Sequence, residues 1–158
     1  MAEAAPTQVI ELAVNLDDVT PQLLGDAQAV LLEQGALDVW TTAIGMKKGR
    51  PGVCLSLLCA EQDADRLSRN VLELTGSFGV RRRAWDRLVL DRRHESIATP
   101  LGPVRLKVGS LDGRVIVARP EYEDVRALAE SAGVTFRAAQ QAADAAAAHW
   151  LGSREPGR

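Results

Sequence analysis

Gly35-Ala36-Leu37-Asp38-Val39-Trp40, then Gly45-Met46-Lys47-Lys48-Gly49-Arg50-Pro51-Gly52, then Val53-Cys54-Leu55-Ser56-Leu57-Leu58: this stretch decides how the chain folds. Two apolar runs flank a short turn of glycines and cations, which is the pattern of a β-hairpin. Its arms fall at residues 37–44 and 53–59, and the second is apolar enough to be central in a sheet. Upstream, Ile10, Leu12, Val14 and Leu16 alternate with Glu11, Ala13, Asn15 and Asp17, the period of a strand with one buried face. Thr20-Pro21 reads as an N-cap followed by Pro in the first helical turn. Leu23, Leu24, Ala27, Val30 and Leu31 continue a helical stripe that Gly35 stops.

Downstream of the hairpin, Asp63 stands at the cap position of a helix carrying Leu67, Val71 and Leu74, with Gly76 at its end, and residues 81–90 read as a fourth strand. The order β-α-β-β-α-β is the split βαβ arrangement of ferredoxin-like folds. Helices then cover one sheet face. The other, with Asn15 and Asp17, is open to a ligand or another subunit. Past Leu90, residues 96–99 and 104–108 flank Pro100-Leu101-Gly102-Pro103, and Asp112-Gly113 turns the chain before residues 115–118. Pro120 is expected to open a helix that Gly133 closes, and Thr135 to cap a last, Ala-rich one. The expected fold class is α+β: a ferredoxin-like βαββαβ subdomain at residues 8–90, a smaller α+β subdomain of β-hairpin plus helices at 91–150, and a disordered tail at 151–158.

The chain has 158 residues, 46% hydrophobic and 25% charged, with a net charge of −2. That balance disfavours a general nucleic-acid binder, so any anion site must be local. No apolar run has the roughly 20 residues that cross a bilayer. Residues 1–8 lack the features of a signal peptide, so the expected location is cytoplasmic, with no membrane partner. Cys54 and Cys59 point to opposite faces of one strand and cannot pair. His94 and His149 lie far from them in sequence, and no zinc or nickel spacing is present. Both cysteines read as buried apolar filler, with soft-metal ligation as the other reading.

The cationic turn admits two readings: a solubilising hairpin tip, or a cradle for an anion with several oxygens, where Lys gives point charge and Arg a forked pair of donors. Asp17-Asp18 stands where the first strand meets the first helix. It fits helix capping, or one Mg²⁺ shared with substrate phosphates if the chain turns there. Gly79-Val80-Arg81-Arg82-Arg83 puts Arg81 and Arg83 on one face and Arg82 on the other, as a charged strand edge or as anion ligands. Lys107 points away from one core face. Pro120-Glu121-Tyr122-Glu123-Asp124 suits a helix dipole without any function, and Tyr122 either stacks on a base or packs. No nucleophile–base pair, P-loop or dinucleotide fingerprint is present. In a ferredoxin-like sheet the turn after strand two need not lie near the end of strand one. A site between subunits would relax that constraint.

Taken in order, Asn15-Leu16-Asp17-Asp18-Val19-Thr20-Pro21, Gly35-Ala36-Leu37-Asp38-Val39, Lys47-Lys48-Gly49-Arg50-Pro51, Gly79-Val80-Arg81 and Pro120-Glu121-Tyr122-Glu123-Asp124 resemble the C-terminal domain of the LarC nickel-insertion family. The resemblance covers roughly residues 9–149. It implies a CTP-dependent cyclometallase, of the lyase class, that puts Ni²⁺ into a pyridinium bis-thiocarboxylate mononucleotide to make the nickel-pincer cofactor. It further implies CTP with Mg²⁺ or Mn²⁺, a cytidylylated intermediate, and a homo-oligomer, trimer or hexamer. Carried over, Asp17 and Asp18 become ligands of the divalent ion, Lys47, Lys48 and Arg50 the phosphate clamp, and Arg81 a further phosphate ligand. Lys107 and Tyr122 are additional candidates for the nucleotide, and Glu121 for the metal. Family members carry a longer N-terminal part with a His-rich stretch. The present chain starts close to its first strand, so an N-terminal LarC-type partner is expected to be separately encoded or missing. Two non-enzymatic readings compete: a nucleotide-sensing module and an oligomerisation piece of the same fold.

Overall fold

A computed structural model describes residues 8–154. They form two compact units divided between Leu88 and Val89. The first contains β1 (Gln8–Leu16), α1 (Pro21–Glu33), β2 (Asp38–Met46), β3 (Arg50–Cys59), α2 (Ala64–Thr75) and β4 (Arg81–Asp86). Its sheet has the order β2-β3-β1-β4 with every pair antiparallel, which is the ferredoxin-like topology. Ile10, Leu12, Val14 and Leu16 of β1 and Leu55, Leu57 and Cys59 of β3 form one apolar face. They pack with Leu31 of α1 and Ala64, Leu67 and Val71 of α2. Alternation sends Glu11, Ala13, Asn15, Cys54 and Ser56 to the opposite face.

Local chemistry sets the ends. Thr20 Oγ1 accepts the Leu23 N–H at 3.2 Å, with Pro21 opening α1. Gly35 turns the chain at φ +95°, where a side chain would be strained. Asp63 occupies the cap position of α2 but caps nothing, because its carboxylate takes the Arg66 guanidinium instead. β4 ends at Asp86, short of the expected residue 90. Its described pairing with β1 runs out where Gln8 meets Asp86, and Leu88 beyond it is 83% exposed.

The second unit holds β5 (Asp91–Thr99), β6 (Gly102–Leu111), β7 (Arg114–Pro120), α3 (Tyr122–Ala132) and α4 (Phe136–Gly152). Its sheet is a three-stranded antiparallel meander, in which the expected Asp112-Gly113 turn brings β7 onto β6. Pro120 does not open a helix. It ends the edge strand β7 opposite Leu106, where its missing N–H costs nothing, and the Glu121 N–H then donates to the Arg105 carbonyl. In α4, Ala139, Ala143 and Ala147 are buried. The expected tail begins as helix: α4 runs to Gly152 and Leu151 packs on the Ile97, Leu106 and Val108 cluster. Residues 155–158 lie outside the described residues. Among the described residues, no helix is long and apolar enough to cross a membrane.

Candidate anion and metal site

β1 stops at Leu16, opposite Val53, while the β2–β3 hairpin continues to the pair Met46 and Arg50. The cationic turn therefore overhangs the end of β1. Arg50 Nη1 donates to Asp17 Oδ2 at 3.3 Å, so the two motifs meet within one chain. Asp17 is partly buried, and Arg50 is exposed. Gly52 permits this approach. A Cβ there would lie 2.6 Å from Met46 Sδ and 2.8 Å from the Leu16 carbonyl oxygen. The chain bends at Asp17 and Asp18, so the two carboxylates are not held to opposite faces of a straight strand.

Lys47, Lys48 and Gly49 form the turn itself. Lys48 lies at φ 63°, ψ 24°, in the left-handed region that costs an L-residue about 1–2 kcal/mol. The hairpin of the second unit fills the corresponding position with Asp112, at φ 51°, a residue type that tolerates that region. Lys48 is thus held where Asn, Asp or Gly would cost less. No group of three or more His, Cys, Asp or Glu side chains able to hold a metal occurs among the described residues. Asp17 and Asp18 are adjacent carboxylates at this bend, and Mg²⁺ in general takes one or two carboxylates together with phosphate oxygens and water.

Arg81 lies on the same open face. Its Nη2 donates to Asn15 Oδ1 at 2.7 Å and approaches Cys54 Sγ at 3.6 Å. Arg82 points the other way and pairs with Asp65 of α2. Arg83 stacks its guanidinium 3.9 Å above the Trp85 ring, and Trp85 Nε1 donates to Glu11 Oε2 at 2.6 Å. Sequence reasoning missed Trp85, although the spacing of Arg81, Arg83 and Trp85 places all three on one face. The cysteines divide. Cys59 is core filler, its thiol pKa pushed up by burial and further by Asp63. Cys54 is not filler, because its alternation places it on the open face, half-buried beside Arg81 and Ser56.

The remaining candidates form a group in the second unit. Glu121 Oε1 lies 2.9 Å from His94 Nε2 and 3.9 Å from Lys107 Nζ. His94, unassigned from sequence, faces Lys107 across the β5–β6 ladder. Tyr122 packs against Phe136, with ring centroids 5.3 Å apart. Asp124 accepts from the Arg105 backbone N–H, Nε and Nη2, and these bonds hold its carboxyl down at about 2.

The family model described as nickel insertion protein matches residues 1–140. The Maridesulfovibrio salexigens protein named "Putative nickel insertion protein" is 45% identical over 123 residues, covering 78% of this chain and 30% of that protein. A Gloeobacter violaceus protein of the same name is 43% identical over 132 residues, 84% of this chain and 31% of its own length. The chain thus spans about a third of the curated relatives it matches. Among solved structures, the C-terminal domain of a cyclometallase involved in synthesis of the NPN cofactor of lactate racemase, LarC2 in its apo form, superposes with a TM-score of 0.82 at 38% identity. That match covers 88% of this chain and 96% of the other. A Methanopyrus kandleri protein gives 0.68 at 28% identity, over 89% and 86% of the two chains. The chain belongs to the nickel insertion protein family and corresponds to the C-terminal domain of its LarC members.

Proposed function

We propose that this chain is the CTP- and divalent-metal-binding half of a CTP-dependent nickel insertase that makes the nickel-pincer nucleotide cofactor. The observation that carries the reading is the Asp17–Arg50 contact at 3.3 Å, beside a turn that presents Lys47 and Lys48. A metal-bound triphosphate exchanges both partners of that ion pair. Arg50 takes phosphate oxygens in a fork, and Asp17, with Asp18, takes the cation. Lys47 and Lys48 neutralise the remaining phosphate charge. Mg²⁺ or Mn²⁺, when bound, withdraws charge from the phosphates and eases the departure of pyrophosphate.

The reaction on this site is cytidylyl transfer. An acid oxygen of the pyridinium bis-thiocarboxylate mononucleotide attacks the α-phosphorus as the bond to the α,β-bridging oxygen breaks. Pyrophosphate leaves with the electron pair. Such a transfer needs positioning and charge stabilisation rather than a protein nucleophile. Nickel is the cargo. Its delivery belongs to an N-terminal LarC-type domain, and assembly into a trimer or hexamer is part of the same reading. The test is a titration of CTP with Mn²⁺ into the parent chain and the Lys47→Ala/Lys48→Ala double variant. The expected result is selectivity for CTP over ATP and at least a tenfold loss in the variant. Equal affinity in both proteins overturns the clamp. Release of pyrophosphate on adding an N-terminal partner and substrate separates an enzyme from a nucleotide sensor.

A further inference from the structure

A cleft of about 420 Å³ lies on the open face of the first sheet, lined by Glu11, Ala13, Cys54, Ser56, Arg81 and Arg83 among others. Its floor is polar and preorganised. Ser56 is 95% buried, yet its hydroxyl meets only the Cys54 sulfur, at 3.6 Å, a weak partner. Arg81 spends Nη2 on Asn15 and Cys54, and its other N–H groups have no protein acceptor among the described residues. Arg83 is steadied over Trp85, and the one acid, Glu11, already accepts from Trp85 Nε1. Glu11 keeps its charge and, among the described residues, an unpaired oxygen, but the two guanidinium groups outnumber it, and with the buried hydroxyl they give the cleft a surplus of donors and of positive charge. That set complements a small, flat organic anion whose two acceptor atoms match an arginine fork.

We propose that this cleft is a second subsite, binding a carboxylate or thiocarboxylate on Arg81 and Ser56 Oγ. Resting on the function proposed above, it is the place of the acid that receives the cytidylyl group. Asn15, which positions Arg81, lies at the end of β1, two residues in the chain before the Asp17 that meets Arg50 of the turn. An acid held here presents its oxygen toward the α-phosphorus of a nucleotide anchored by the turn. Under this assignment Arg81 belongs to the acceptor rather than to the triphosphate.

The probes are benzoate and thiobenzoate, with neutral benzamide as the shape control, followed by amide chemical shifts of the full chain. Both anions are expected to shift Ala13, Ser56 and Arg81, and benzamide to bind at least tenfold more weakly. Arg81→Gln is expected to lose roughly tenfold in benzoate affinity, the size of a charge-assisted contact. Ser56→Ala, a smaller change, is expected to lose about threefold and guards against a folding defect in the first variant. Absence of shifts at these amides, equal binding of benzamide, or benzoate affinity unchanged in both variants overturns the subsite. A second copy of the chain covering this face gives the first of those outcomes. The CTP titration tests the phosphate clamp separately, so either site fails without the other.

Discussion

Single residues decide the geometry of the turn, and two of them separate stability from function. Lys48 is strained at φ 63° and Asn tolerates that conformation, so Lys48→Asn should raise the melting temperature slightly while weakening CTP binding. A parallel fall in both quantities would show that Lys48 is structural. Gly52 has the opposite character. A methyl group at residue 52 meets the Leu16 carbonyl, which is backbone and cannot swing away. Gly52→Ala should destabilise the chain by about 1–3 kcal/mol and loosen the Asp17–Arg50 contact. Adding Met46→Ala should fail to restore either property, because the Leu16 oxygen remains; calorimetric unfolding of both variants checks this. Neither feature is visible in sequence. Lys-Gly at a hairpin tip reads as an ordinary turn until its dihedrals are known, and the contact that forbids a side chain at Gly52 comes from a different strand.

At the scale of elements, the ion pair joining β6 to α3 gives a pH signature. Hydrogen bonds from Arg105 keep the Asp124 carboxyl at about 2, below its ordinary value. The folded state therefore favours the charged form, and the stabilisation is complete above the ordinary carboxylate pKa of about 4. It is lost as the pH falls through about 2. Asp124→Asn should lower the melting temperature modestly at pH 7, since Arg105 is exposed and screened, and the gap to the parent should close between pH 4 and 2. A gap that is constant with pH would assign the loss to packing. These elements also show what periodicity can resolve. Alternation in β1 and β3 and the helix ends at Thr20, Gly35 and Gly76 carry enough local signal to place βαββαβ. Pro120 and the end of β4 depend on partners distant in sequence. The same holds for the site: charge pattern and family resemblance named Asp17 and Arg50, and alternation from Arg81 and Arg83 reaches Trp85, whereas His94 emerges only from cross-strand register.

For the whole molecule, candidate ligands fall in two units, and the proposed clamp lies entirely in the first. Lys107 and Glu121 of the second unit already face one another, with His94 beside them. A ligand that binds only the folded state stabilises it by RT ln(1 + [L]/Kd), about 2.7 kcal/mol at a hundredfold excess over Kd. Under the proposed function CTP with Mn²⁺ should therefore raise the melting temperature, and EDTA should abolish the shift, since in that proposal the cation joins the triphosphate to Asp17 and Asp18. Hydrogen exchange should localise the gain. Slower exchange is expected at residues 15–18 and 46–54, with residues 91–152 unchanged. Protection at residues 105–122 instead would move the nucleotide to Lys107, Glu121 and Tyr122 and displace the turn from its role. A thermal shift that survives EDTA would remove Asp17 and Asp18 as metal ligands and leave the turn to bind the triphosphate by charge alone.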